Sequence, residues 1–287
     1  MSTECLTDMI HSLIKCPICR AGMSLDESGH SLRCAGEGKK HFFDVAAGGY
    51  VNVISGRAAG GDSREAVRAR TAFLEGDHYA PIADAVTEIL RELGGIGEEG
   101  IVVDAGCGDG YYLNRILDKL GCCGLGFDLS KFATDHAAKS ARRRGLSERS
   151  FYGVASVFAL PLGDGCADAV INLFAPCVER EYARVLRDGG LLIVVGAGED
   201  HLYDLKKAVY DEVYRNAPRA DLPTDLPLAL QRRVDFKVNL TRHEDIESLF
   251  SMTPYYYRTP ASGFERLRAL STLTTRAQVE IYVYLKP

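Results

Sequence analysis

No stretch of this 287-residue chain approaches the roughly 20 apolar residues that a membrane-spanning helix needs. A basic segment followed by an apolar run is missing from the start, where Glu4 and Asp8 stand instead. No secretion signal is therefore expected, and the cytoplasm is the expected location. Excess positive charge is also lacking: 34 Lys and Arg face 39 Asp and Glu, a net charge of −5. Phosphate affinity comes from local Lys and Arg density, so this balance weighs mildly against a nucleic-acid binder without excluding one. The residues before about position 45 are short of apolar side chains and cannot build a core unaided.

What that first segment does have is thiols. The chain holds nine cysteines, and in a reducing compartment they must be metal ligands, catalytic groups or core filler rather than disulfides. In "KCPICRAGMSLDESGHSLRCAGEGKKHFFD", Cys16 and Cys19 have the spacing of a metal knuckle. Cys34 follows a hairpin-sized gap marked by "DESGHS", and His41 comes soon after. Three thiolates and an imidazole form a standard tetrahedral zinc set, closed and structural rather than catalytic. His41 leads as fourth ligand, with His30, His11 and Cys5 as alternatives. The competing reading is a set of buried or redox cysteines with no metal.

Gly48, Gly49, Gly56, Gly60 and Gly61 mark a connector. Helical patterning begins near Arg64 with "REAVRARTAFL". A second helix, "PIADAVTEILREL", opens at Pro81, where proline's missing N–H costs nothing. From Ile101 strands alternate with helices: "IVVDAG", "CCGLGFDL", "SFYGVAS", "DAVINLF" and "GLLIVVGAG" read as strands, and "HLYDLKKAVYDEVYRNA" as a long helix. Repeated β-α units imply a mostly parallel sheet covered on both faces. Two alternating segments, "RRVDFKVNL" and "AQVEIYVYLKP", close the chain. The last lacks room for a full crossover and should run antiparallel. The expected class is α/β, a Rossmann-like seven-stranded sheet with a small zinc-ribbon-like module before it. The expected division is residues 1–50 as the module, 51–80 as linker and covering helix, and 81–287 as the main domain. Arg57, Arg64, Arg68 and Arg70 form one basic cluster and Arg142, Arg143 and Arg144 another; each reads first as a solvated face.

"VVDAGCGDGYYLNRI" places Asp104, Gly106, Gly108, Asp109 and Gly110 on a strand-to-helix turn. Glycines there allow tight turning and close approach by a ligand, while the new helix offers free N–H groups. Asp128 ends the next strand, where a carboxylate can accept both hydroxyls of a ribose. The loop resembles the motif of class I S-adenosylmethionine (AdoMet) methyltransferases. Its extra carboxylates, Asp104 and Asp109, suit a cationic sulfonium ligand with an amino group and suit a pyrophosphate badly. Cys107, inside the loop, is assigned no chemistry.

"CPICRAGM", "HFFDVAAGGYVNVI", "RARTAFLEGDHYAPIADAV", "VVDAGCGDGYY", "GFDLSK", "FAPC" and "HLYDLKKAVYDEV" together resemble the 23S ribosomal RNA (guanine-N1)-methyltransferases, over nearly the whole chain. That resemblance implies AdoMet as cofactor, structural zinc, and N1 of a guanine in hairpin 35 of 23S rRNA as target. Some members confer macrolide resistance. It also implies a homodimer whose halves form a cleft for RNA. By motif, Tyr79 should close over the cofactor, Gly108 and Asp109 should hold its methionine portion, and His201 should reach it from beyond the fifth strand. The zinc module would grip structured RNA. "NLFAPC" lies where such enzymes line the target-base pocket, so Asn172, Phe174 and Pro176 are candidates there, with Phe174 placed to stack a flipped guanine. It lacks the acidic or Asn residue before P-P-[YF] usual in amino-methyltransferases. Two other readings compete: a small-molecule methyltransferase with the module as a lid, and a non-catalytic ribosome-assembly factor. No residue stands out as a general base.

Overall fold

The computed structural model describes residues 9–54 and 61–287. Cys5, Gly56, Arg57 and Gly60 lie outside them. Three short strands, β1 (Met23–Leu25), β2 (Ser31–Cys34) and β3 (Phe42–Asp44), form an antiparallel sheet in sequence order. A larger sheet holds β4 (Val51–Asn52), β5 (Ile101–Ala105), β6 (Cys123–Asp128), β7 (Ser150–Val154), β8 (Ala167–Leu173), β9 (Leu186–Ala197), β10 (Leu228–Leu240) and β11 (Leu273–Leu285). Its order is β10-β11-β9-β8-β5-β6-β7-β4.

β5 to β9 run parallel, and β11 is antiparallel to both β9 and β10, as the short final connection requires. Seven strands match the expected pattern. The eighth, β4, pairs parallel to β7 through Val51 and Asn52 alone, too short to show alternation in the sequence. The central strands are mostly apolar, since helices cover both faces: Val102, Val103 and Ala105 are fully buried. Each buried valine contributes about 1.5–3 kcal/mol.

Local signals start and stop the flanking helices. The Ser63 hydroxyl accepts from Ala66 N to begin Arg64–Glu75, and the Ser130 hydroxyl accepts from Ala133 N to begin Lys131–Arg143. The helix Tyr111–Leu120 is bounded by two left-handed glycines, Gly110 and Gly121. One helix is shorter than its pattern. "HLYDLKKAVYDEVYRNA" is helical only over Tyr203–Val209. Beyond it Asn216 turns back to bond the Gly198–His201 turn, a tertiary competitor that outweighs local propensity. The helix Ala261–Arg268 is one that the sequence pattern did not announce.

The three-stranded sheet sits against the main sheet's side. Lys15 N donates to Pro161 O at 2.8 Å, Gly163 N to Leu13 O at 3.1 Å, and the Arg20 guanidinium to Leu162 O at 2.9 Å. Ile10, Ile14, Cys16 and Leu32 belong to one buried cluster with Val103, Phe127 and Leu162. No helix among the described residues is long and apolar enough to cross a membrane.

Candidate active site

The C-terminal ends of β5, β6, β8 and β9 open into a cavity of about 1180 Å³, the usual ligand position in an open α/β sheet. Asp104, Gly106, Gly108, Asp109 and Asp128 form its floor, and Tyr79, Phe174, Pro176 and His201 its walls. Gly110 does not line it. This glycine instead lets the loop meet the helix behind: a Cβ there would stand 2.7 Å from Ala137 Cβ. Gly106 has φ +90, and its missing Cβ would stand 2.4 Å from Ala175 Cβ, so the loop and the "NLFAPC" turn touch where only hydrogen fits.

Three carboxylates converge on the floor. Asp104 is 1% exposed, and neither of its oxygens has a hydrogen-bond partner. Burial, reinforced by Asp128 and Asp109, pushes its carboxyl well above the usual range. Burial also raises Asp128, against the Ser130 and Gly108 N–H groups that donate to it at 2.7 and 3.0 Å. Asp109, likewise raised by burial, accepts from the Thr71 hydroxyl at 2.9 Å and from Tyr111 N at 3.3 Å. Arg70 pairs with Asp62 and supplies positive charge to Asp109 and Asp128. Asp104 is left with a desolvated, unsatisfied carboxyl aimed at the cavity. A cationic ligand with an ammonium group fits that deficit, and a pyrophosphate would worsen it.

Tyr79 caps the helix Ala80–Glu92 and is 3% exposed. Its ring packs edge-on against Phe73, with centroids 5.0 Å apart, and its hydroxyl lies 3.3 Å from His201 Nε2. Burial pulls His201 down to about 4, so the imidazole is neutral at pH 7. Phe174 stands near both, with ring centroids 6.5 Å from Tyr79 and 6.0 Å from His201. Phe174 is exposed to the cavity and has φ +56, a left-handed conformation that a bulky residue adopts only when its surroundings impose it. Asn172 is placed differently. It is fully buried beneath the turn, its amide donating to Ala105 O at 2.9 Å and Pro176 O at 3.1 Å. It braces the pocket from behind and does not line it.

Cys16, Cys19, Cys34 and His41 come together at the edge of the small sheet, their ligand atoms all within 4.8 Å of one another. His41 Nδ1 is 3.5 Å from Cys16 Sγ and 3.4 Å from Cys34 Sγ, and Cys19 Sγ is 4.0 Å from Cys34 Sγ. A tetrahedral zinc with ordinary bond lengths has ligand–ligand edges of about 3.5–3.8 Å, so the cluster fits. His41 N donates to Cys34 Sγ at 3.2 Å, first among the groups that draw this thiol down to about 6 and favour the thiolate. Among the described residues neither His30 nor His11 joins the set. Burial pushes the Cys107 thiol up, consistent with a packing role.

Sequence reading missed Arg70, Asn216 and Arg219. Arg70 looked like part of a solvated basic face. The other described arginines of the two clusters are solvated, as expected: Arg64 lies over the Phe132 ring, Arg143 faces Glu75 and Arg144 pairs with Asp118, all at the surface. Asn216 fell within the segment expected to be a long helix, and Arg219 sits in a Pro-rich stretch with no periodicity, so only their three-dimensional partners reveal them.

A family described as "Methyltransferase domain" matches residues 102–190. Three relatives align more widely. A 23S rRNA (guanine(748)-N(1))-methyltransferase of Streptomyces fradiae is 38% identical over 199 residues, 68% of this chain and 67% of that protein. A putative 23S rRNA (guanine-N(1)-)-methyltransferase of Micromonospora griseorubida is 34% identical over 94% of this chain and 96% of its own length. A putative enzyme of the same description from Bacillus subtilis is 28% identical, over 96% and 98%.

Proposed function

The chain belongs to the 23S rRNA (guanine-N1)-methyltransferase family, and from that premise we propose how its site serves methyl transfer from AdoMet to N1 of a guanine. The carrying observation is Asp104: a buried carboxyl with no protein partner, on the floor of a cavity ringed by a glycine loop. Its charge would meet the cationic portion of AdoMet, while Asp128 accepts the ribose hydroxyls with the lone pairs its backbone donors leave free. Gly108 and Asp109 hold the methionine portion. Tyr79 and His201 cover it as a neutral pair. AdoMet supplies a methyl carbon activated by a sulfonium, so the chain's task is to orient and to exclude water.

Opposite the floor, Phe174 gives a flipped guanine a face to stack on, and Pro176 fixes the turn that carries it. The target guanine lies in hairpin 35 of 23S rRNA, and the zinc-held sheet grips the structured RNA around it. The chain works as a homodimer with the RNA cleft between its halves, and in the cytoplasm. The family resemblance supports these points, and a change in macrolide sensitivity is the phenotype to look for in cells expressing the enzyme.

The test is primer extension. The protein is incubated with AdoMet and 23S rRNA from a strain lacking the modification. Because N1 methylation blocks the pairing edge, extension should halt one nucleotide short of the target in hairpin 35, only when AdoMet is present. A stop elsewhere would reassign the site, and no stop with AdoMet still bound would point to a different substrate.

A further inference from the structure

Two side chains of the segment between Val209 and β10 grip two neighbouring turns that line the cavity. Asn216 Nδ2 donates to Gly198 O at 2.8 Å and to His201 O at 3.3 Å, and its backbone N–H donates to Glu199 O at 2.9 Å. Asn216 thus braces the turn that carries His201, beside the Gln278 side chain, whose Oε1 accepts from Asp200 N at 3.1 Å. The other end of the Asn216 amide is also committed. Asn216 Oδ1 accepts from Lys206 Nζ at 3.0 Å and from the Tyr255 hydroxyl at 3.2 Å. Lys206 is fully buried, with its ammonium 4.7 and 5.4 Å from the ring centroids of Tyr214 and Tyr255. A desolvated cation between aromatic faces needs an acceptor, and Asn216 provides it.

Arg219 acts on the neighbouring turn that carries Phe174. Its guanidinium donates to Asn172 Oδ1 at 3.0 Å, to Val195 O at 3.1 Å and to Ala175 O. Asp221 accepts from Arg219 Nε at 2.6 Å and from Cys177 N at 2.7 Å. The pair thus fastens the turn on both sides of Phe174, the residue held at φ +56. Gly196 makes room for this: a Cβ there would stand 3.2 Å from Arg219 Cδ. A planar fork reaching three acceptors on two strands is a geometry that lysine cannot reproduce.

We propose that Asn216 and Arg219 are positioning residues with separable effects: Asn216 sets the turn that presents His201 to the cofactor, and Arg219 sets the turn that presents Phe174 to the target base. This rests on the reading of His201 and Phe174 given above. One short segment thereby aligns cofactor and substrate walls that come from different strands.

Full-length Asn216→Asp and Arg219→Lys proteins test this, beside His201→Ala and Phe174→Ala references. Asparagine to aspartate keeps an acceptor for Lys206, removes both side-chain donations to the His201 turn and sets a carboxylate oxygen against the Gly198 and His201 carbonyls. Calorimetry reads AdoMet affinity, and single-turnover methylation of 23S rRNA at saturating AdoMet reads the chemical step. Asn216→Asp should weaken AdoMet about 10-fold or more, the scale of the two hydrogen bonds lost, and leave the saturated rate unchanged. Arg219→Lys should leave AdoMet affinity unchanged and slow single turnover about 10²-fold, as expected of a misplaced reacting partner. Asn216→Ser and Arg219→Gln repeat the comparison if either first variant melts below assay temperature. Variants that shift both quantities together, or neither, overturn the proposal. If His201→Ala weakens AdoMet while Asn216→Asp does not, the proposal alone falls. If His201→Ala binds AdoMet as tightly as the parent, the assignment of His201 falls and takes the proposal with it.

Discussion

The phenol oxygen of Tyr79 and Nε2 of His201 lie 3.3 Å apart, although 122 positions of chain separate them. The contact joins the start of one helix to the turn after β9, and so closes the cavity between its two covering elements. Burial raises the Tyr79 phenol above its ordinary range and pulls His201 down to about 4, so at neutral pH both are uncharged. In the role proposed for the pair, an uncharged cover over a positively charged cofactor would avoid the repulsion that an imidazolium would bring.

That state has a pH signature. An unfolded histidine takes up its proton near pH 6.5, but His201 in the fold resists until about 4. The folded pKa is the lower one, so the stability associated with His201 is present above pH 6.5 and is lost as pH falls toward 4. Thermal melts across that window should decline, and His201→Gln should flatten the decline by up to about 3 kcal/mol. A slope identical in the two proteins would show that folding does not shift the protonation of His201 across this window.

Asp104 has the opposite sign. Its folded pKa is raised, so its contribution is favourable below about pH 3.8 and is lost as pH rises through the folded value. Asp104→Asn should therefore raise the melting temperature of the free protein at pH 7. The same change should weaken AdoMet about 10–100-fold by removing a charged acceptor. Calorimetry and melting curves check both at once. A variant that loses stability as well as affinity would place Asp104 in the structural framework.

The Cys3His cluster should carry about one zinc ion per chain, measured by elemental analysis. Cys19 is the exposed ligand and Cys16 and Cys34 are buried. Cys19→Ser should loosen metal and abolish RNA methylation while AdoMet still binds, if the small sheet serves RNA. Cys16→Ser should destabilise the chain more broadly, because Cys16 lies in the buried cluster shared with Val103 and Leu162. Loss of AdoMet binding in Cys19→Ser would assign the metal a general folding role.

Gly106→Ala would place a methyl group 2.4 Å from Ala175 Cβ at a φ of +90. The strain is about 1–3 kcal/mol, and the turn carrying Phe174 must move to relieve it. Methylation should fall far more than stability. A Gly106→Ala enzyme with parental turnover would show that the two loops are not in contact during the reaction.

The sheet, its reversed last strand, the glycine loop and Asp128 were legible because each follows from periodicity or from a local backbone requirement. Cys16, Cys19, Cys34 and His41 were legible because metal geometry constrains spacing. Tyr79 and His201 came only with the family resemblance, since an aromatic at a helix start and a histidine in a turn carry no local signature. Asn172 lay in the right turn, yet its side chain faces inward to Ala105 and Pro176, a direction that sequence does not encode. Arg219 and Asn216 were invisible for a related reason: their partners lie as far as 47 positions away.

The seat of the small sheet is made long after the sheet itself. Arg20 bonds Leu160 and Leu162 across 140 and 142 positions. At about 5–20 residues per second of synthesis, roughly 10–30 s pass before the growing chain offers that surface. During this interval three thiols and several apolar side chains have only one another and whatever metal reaches them. A metal bound in that interval would hold the four ligands together before the docking surface exists, so the small sheet would not wait on the rest of the chain for its shape.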